Sequence, residues 1–373
     1  VHAYKLTSAH LDELVTTRPD ILLLAGGTDG GNESYVRHNA ALLAQLPARW
    51  TGPELPAVVY AGNAVLQDEV AAVLRPAGFD LHLAANLLPQ VEQVEPEGAR
   101  ERIREVFLRT IVHGKGLDEI VAEVGSQPMP TPLAVLTLVE AIRKEAPDFG
   151  DFLLVDMGGA TTDVYSAGEG LDHDARVVLR GIREPEIKRT VEGDLGMRVS
   201  AAVASHSAAD AIRSQLRTGE EAAFQAFIER LMAAPDHLPT EPQEERFDRV
   251  LASACIQHAL ARHAGTWRRV FTAAGETFLQ SGKDLRAIRT LIGSGGFLSA
   301  LPDFTPEPAR PDPRAELLSL VPTSFSYFRD NGYLLPLLGS LAVLLPGPAA
   351  RCALATLEPT GAAAVPTPSS MHS

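Results

Sequence analysis

Two cysteines in 373 residues, Cys255 and Cys352, with no CxxC spacing, leave no material for a disulfide framework or a thiolate zinc site. Long apolar runs are also missing. The longest, residues 333–346, is cut by Pro336, Gly339 and Pro346, which suits a buried helix rather than a membrane span. The opening VHAYKLTSAHLDEL lacks the basic and apolar regions of a signal peptide, so a cytoplasmic location is expected, in keeping with so few cysteines. Positive charge is short: 33 Lys and Arg stand against 47 Asp and Glu, a formal net charge of −14. A field of that sign repels phosphate backbones and argues against nonspecific nucleic-acid binding. It leaves room for a nucleotide at a local site, where backbone N–H groups and Mg²⁺ supply positive potential.

What is present is ordinary for a globular protein: 45% hydrophobic and 21% charged residues, in a chain long enough for two or three domains. Strands and helices alternate, which predicts an α/β architecture. LDELVTTRPD reads as a short helix closed by Pro19, residues 21–25 as a buried strand, 33–46 as a helix, AVVYAGN as a second strand, 67–74 as a helix and FDLHLAAN as a third strand. This short rhythm predicts parallel crossovers. A helical stretch follows over 98–124, broken at His113-Gly114-Lys115-Gly116, then a helix over 133–145. DFLLVDMGGATTDVYSA reads as a β-hairpin and ARVVLRG as a strand. Residues 196–298 read as mainly helical, with polar loops at 235–245 and 281–284, and 302–314 as a surface loop. The Ala/Pro/Thr/Ser-rich stretch 346–373 is expected to be disordered.

Four segments carry chemistry. In the first, Asp156 ends an apolar strand, and Gly158, Gly159, Ala160, Thr161, Thr162 and Asp163 follow before a strand resumes. Glycines let backbone approach a ligand, and successive N–H groups in such a turn cradle phosphates. The two threonines add hydroxyl donors, and Asp156 is placed to hold Mg²⁺ through water. An ordinary glycine hairpin with a capping aspartate is the structural alternative. The second segment is Gly293-Ser294-Gly295-Gly296, between an apolar approach and a helix start, where an adenosine phosphate can lie on backbone atoms. A plain positive-φ turn would look similar. The third is KRTVEGDLGMR, in which Glu192 either meets the nucleotide or belongs to a solvated carboxylate pair with Asp194 at a helix cap. The fourth, GGTDGGN at 26–32, lacks the lysine of a P-loop and the spacing of a dinucleotide fold. It reads equally as a turn whose Asp29 and Asn32 cap the next helix. The same spacing argues against a NAD-binding dehydrogenase. His258, His263 and Cys255 have no partner set at metal or nucleophile spacing and read as packing residues.

The aspartate–glycine–glycine hairpin with TTD, the later GSGG turn and the helices between them resemble the second half of the actin, sugar-kinase and heat-shock-chaperone superfamily. Within it, ILLLAGGTDGGNESYVRHNAALLA, VVYAGNAVLQDEV, LLVDMGGATTDVYSA, KRTVEGDLGMR and the MPTP loop resemble the glutamate mutase accessory family, GlmL or MutL, which is distinct from the mismatch-repair protein sharing the latter name. The resemblance implies an actin-like ATPase (ribonuclease H-like) fold with an incomplete first half. Residues 1–150 would be a remnant of the first subdomain pair, and 151–345 the second half with its helical insertion. It also implies an ATP- and Mg²⁺-binding chaperone that reactivates an adenosylcobalamin-dependent mutase by contact with its subunits. Asp156 would organise the metal, 158–162 the phosphates and 293–296 the adenosine. The family's first phosphate loop has no counterpart in this sequence, so an N-terminally truncated member is expected and hydrolysis by this polypeptide alone is left open. A non-hydrolysing nucleotide-binding scaffold and a small-molecule kinase of the same fold are the alternatives.

Overall fold

A computed structural model describes residues 4–91, 93–114, 129–170, 177–181, 184–272, 275–309 and 315–360. The chain is a mixed α/β protein that divides into two compact units, Val1–Pro128 and Met129–Ser373. Val135, Leu138 and Ile142 of the helix that opens the second unit are buried with Phe152 and Leu154.

The first unit runs α1 (Ser8–Thr17), β1 (Ile21–Leu24), α2 (Ser34–Leu43), β2 (Ala57–Tyr60), α3 (Gln67–Leu74), β3 (Leu81–Leu83) and α4 (Glu97–Gly114). Arg18, left-handed at φ 47°, closes α1 just before Pro19. The strands form a parallel sheet in the order β1-β2-β3, with Leu22 opposite Val58 and Val58 opposite Leu81, as short crossovers predict. Leu11, Val36, Leu46, Val58, Tyr60 and Leu74 form its core. Residues 115–124 of the expected helical stretch lie outside the described residues.

The second unit runs α5 (Thr131–Glu145), β4 (Phe152–Met157), β5 (Thr162–Ala167), β6 (Val177–Leu179), β7 (Ile187–Glu192), α6 (Ala201–Ser207), α7 (Ala209–Gln215), α8 (Glu221–Ala233), α9 (Pro242–His263), β8 (Thr266–Thr272), β9 (Gly275–Ser281), β10 (Thr290–Ser294), α10 (Gly296–Ala300), β11 (Leu317–Ser319), β12 (Ser326–Asp330), α11 (Leu335–Ala342), α12 (Pro346–Thr356) and β13 (Leu357–Pro359). Its main sheet has the order β13-β12-β10-β4-β5-β7. The β4–β5 hairpin and β7 are antiparallel, while β10 and β12 run parallel to β4. Side chains alternate across β4. Leu153, Val155 and Met157 meet residues from α6 to α9, and Phe152 and Leu154 meet α5, α11 and α12, so helices cover both faces.

Three expectations need correction. Residues 196–298 are not helical throughout, because β8 and β9 pair as an antiparallel hairpin in which Trp267 packs on Phe278 at 5.0 Å. The supposed tail folds as far as residue 360: Ala349, Ala350 and Ala353 of α12 are buried, and β13 pairs with β12. Alanine there serves close helix packing, and residues 361–373 lie outside the described residues. The apolar run 333–346 holds α11, which is buried on one side only, with Leu338 buried and Leu337 68% exposed. Among the described residues no helix is long and apolar enough to cross a membrane.

Candidate functional site

β4 ends in Asp156 and Met157, and the chain turns through residues 158–161 into β5. A short segment, residues 195–200, backs this turn. Met197 N–H donates to the Gly158 carbonyl (3.1 Å), Arg198 N–H to Gly159 (2.8 Å) and the Ser200 hydroxyl to Ala160 (2.7 Å). Gly196 lies so close that a Cβ there would sit 2.3 Å from the Ala160 carbonyl carbon. The Thr162 hydroxyl donates to the Leu195 carbonyl. A trans peptide points its C=O and the following N–H in opposite directions. With three successive carbonyls fixed on the backing segment, the N–H groups of Gly159, Ala160 and Thr161 face the other way. Among the described residues nothing accepts from them. Such a row of unpartnered N–H groups suits an anion. The cradle is narrower than the sequence implied. Gly158 N–H closes the turn on Thr161 O (2.9 Å), and the Thr162 hydroxyl is already bonded.

Asp156 shares a face of the sheet with Phe152 and Leu154, and strand register lines up the polar residues beside it. Asp163 is opposite Asp156 on β5, and Ser294 is opposite it on β10. The Ser294 hydroxyl in turn donates to Asp330 at the end of β12 (2.8 Å). Two of these three carboxylates are satisfied. Asp163 accepts from Arg189 Nε and Nη2 (2.9 and 2.7 Å), and Asp330 also accepts from the Leu334 and Leu335 N–H groups (2.9 and 3.1 Å). Asp156 is 8% exposed, and among the described residues no group donates to it. Burial, reinforced by the charges of Asp163 and Asp330 and opposed by Arg189, pushes its carboxyl up to about 7. Among the described residues no three metal-ligating side chains group closely enough to hold an ion alone. A single unbonded carboxylate is a donor of the kind that Mg²⁺, an ion that dehydrates reluctantly, meets through its water shell.

On the opposite face lies a cavity of about 520 Å³. Gly158, Gly159, Gly296, Phe297, Leu301 and Asp248 contribute to its lining, with residues 235–239 forming one wall. Two turns far apart in sequence thus meet at one cavity. Its size, and a lining that sets apolar side chains beside the charged Arg198, Asp236, Glu245, Asp248 and Arg249, leave room for a nucleoside. Within GSGG the roles separate. A Cβ on Gly293 would strike the Tyr327 hydroxyl, and Gly295 sits at φ 101° with its would-be Cβ 2.1 Å from the Met157 carbonyl. Both are glycine for packing, and Ser294 is bonded to Asp330. Gly296 alone opens into the cavity.

Glu192 ends a strand rather than capping a helix, on the face away from Asp156, and Arg262 holds its carboxylate at 2.8 Å. Arg262 also pairs with Asp194, which it holds well below the usual carboxylate range. In GGTDGGN, Asn32, one residue ahead of the Glu33 cap position of α2, accepts from the Ser34 N–H, and Asp29 accepts from Ala64 N–H and Asn86 Nδ2 and does not cap α2. His263 is fully buried between the Thr190 and Ser166 hydroxyls, and Cys255 is buried in the core. The sequence reading missed Asp330, Arg189 and the backing role of 195–200. KRTVEGDLGMR did flag the last two, though for Glu192.

A family profile described as MutL protein matches residues 1–356. The Protein MutL of Clostridium tetanomorphum is 37% identical over 357 residues, which cover 94% of this chain and 76% of that protein. On both counts, the chain belongs to the MutL protein family, the accessory-protein family that its motifs resemble.

Proposed function

We propose that this protein binds ATP with Mg²⁺ across the β4–β5 turn and acts as a reactivating chaperone for an adenosylcobalamin-dependent mutase of the glutamate mutase type. One observation carries the nucleotide half: among the described residues, three N–H groups without a partner stand at the same strand end as a buried carboxylate that accepts no hydrogen bond. The first suits phosphate oxygens and the second suits a hydrated cation. Mg²⁺, when bound, supplies positive charge between phosphate and protein. Gly159, Ala160 and Thr161 hold phosphate oxygens, Asp156 orients the metal's water shell, and Gly296 with Phe297 and Leu301 receives the adenosine. The strand order supports an actin-like ATPase half. A glycine hairpin continues antiparallel into β7, later strands run parallel to β4, and the helices of residues 201–263 are inserted between β7 and β8. The mutase half rests on membership of the MutL family.

Calorimetric titration of the full chain with ATP, in Mg²⁺ and then in EDTA, tests the first half. Saturable binding that needs Mg²⁺ is expected, and no binding in either buffer removes the nucleotide reading. Immobilised protein exposed to purified mutase subunits, with and without ATP, tests the second. Capture that changes with nucleotide is expected, and no capture under either condition ends the chaperone reading.

A further inference from the structure

Among the described residues, Arg189 is the cation that electrostatically opposes the charge build-up on Asp156, and the site described so far gives it no task. It stands on β7 opposite Tyr165, and so on the carboxylate face of the sheet. Asp163 takes Nε and Nη2 through a single oxygen, and the guanidinium lies 5.9 Å over the Tyr165 ring. Tyr165 is itself anchored by its hydroxyl, which donates to the Pro132 carbonyl at 3.0 Å. The side chain is thus held in one place, yet it remains 29% exposed. Of its five N–H groups two go to Asp163 and the Tyr165 hydroxyl lies beside the head, so at least two remain for a ligand. A planar fork with free donors beside a phosphate cradle matches a phosphoryl group.

The layout selects which phosphate. The nucleoside-sized cavity opens on the face of Met157, the N–H cradle occupies the turn, and Arg189 lies on the far face beyond Asp163. A nucleotide with its base in the cavity presents to Arg189 the group farthest from the base. We infer that Arg189 contacts the terminal phosphate of a bound nucleoside triphosphate and so makes the site distinguish triphosphate from diphosphate. The assignment rests on the nucleotide reading above. Asp163 acts through it as a positioning residue. The link also runs to the turn itself, since the Thr161 hydroxyl lies 3.5 Å from the other Asp163 oxygen.

The test is the ratio of ATP to ADP affinity, both with Mg²⁺, for the full chain and for Arg189→Met and Arg189→Lys. In Arg189→Met, ATP affinity falls about tenfold to hundredfold while ADP affinity stays within about twofold. Arg189→Lys, which keeps the charge and loses the fork, falls between. Equal loss of both ligands makes Arg189 merely structural, and an unchanged ratio removes it from the site; either result overturns the inference. If the unsubstituted protein binds neither nucleotide, the failure belongs to the nucleotide reading instead. Should Arg189→Met not fold because Asp163 is left alone, the double variant Arg189→Met with Asp163→Asn removes both charges and carries the same ratio.

Discussion

Two turns in this molecule look alike on paper. GGTDGGN follows β1 of the first unit, a strand in which only Leu24 is buried, and DMGGATTD ends the fully buried β4 of the second; each places aspartate, threonine and paired glycines at the carboxyl end of a strand. Their polar groups have different fates. In the first turn, Asp29 N–H donates to Pro89, Gly30 N–H to Asn63 Oδ1 and Gly31 N–H to Thr28, while the Asp29 carboxylate accepts from Ala64 and Asn86. Gly26, Gly27 and Gly30 have positive φ, so glycine is there for backbone conformation. In the second turn carbonyls are tied, and among the described residues the N–H groups of Gly159, Ala160 and Thr161 and the Asp156 carboxylate have no partner; Gly158 and Gly159 need no positive φ. Motif chemistry does not separate a site from a turn; what separates them is which groups the fold leaves uncommitted.

The largest expected effect breaks the second turn from below. Gly295→Ala drives a Cβ at φ 101° into the Met157 carbonyl, and the second unit should lose roughly 3 kcal/mol or more, read as a fall in its denaturant midpoint. A shift no larger than that of a surface substitution would mean the β10–α10 turn does not support the site. Next comes Asp156→Asn, which keeps the shape and removes the charge. Mg²⁺-dependent ATP affinity should fall about tenfold to hundredfold, the range for losing an outer-sphere metal partner. The same variant sharpens the comparison through pH. The folded-state pKa of Asp156 is raised, so the folded protein binds the proton more tightly than the unfolded chain. Its contribution to stability is full below the unfolded value of 3.8 and is lost as pH rises through about 7. Melts of the parent and of Asp156→Asn across that range should converge at low pH in their slope, with the parent alone declining as Asp156 ionises. Parallel curves would mean the carboxylate is not held away from partners.

Much of the second turn was legible because its signal is local: an apolar run, an acid, glycines and a resumed strand within LLVDMGGATTDVYSA. The parallel β1–β3 sheet was legible for the same reason, since its crossovers are short. Asp330 was not, because SYFRD reads as any strand end. It joins Asp156 only through the register of β4, β10 and β12, which no local pattern encodes. Nor does a local pattern encode the parity of β7: Glu192 stands opposite Thr162, which faces the Leu195 side, whereas Arg189, three residues earlier, faces Asp163. The β8–β9 hairpin hid among helices, and α12 hid in an alanine- and proline-rich composition that serves close packing as readily as disorder.

The smallest and most discriminating effect comes from two glycines in the same kind of space. A Cβ built on Gly30 or on Gly296 meets nothing within 4 Å. Any difference between the two alanine variants therefore comes from backbone and from what fills the open space, not from clashes. Gly30 sits at φ 70°, where an L-residue is strained, so Gly30→Ala should cost the first unit about 1 kcal/mol and leave nucleotide binding unchanged. Gly296 opens α10 without a positive φ, so Gly296→Ala should leave stability within about 0.5 kcal/mol of the parent. Its methyl group projects where the nucleoside is proposed to lie, and ATP affinity should drop by about 1 kcal/mol, roughly fivefold, as for one misplaced methylene in a fitted pocket. Were Gly30→Ala to weaken ATP and Gly296→Ala to leave it alone, the first turn and not the second would be the ligand site, because that exchange of effects follows only if the uncommitted groups were assigned to the wrong strand end.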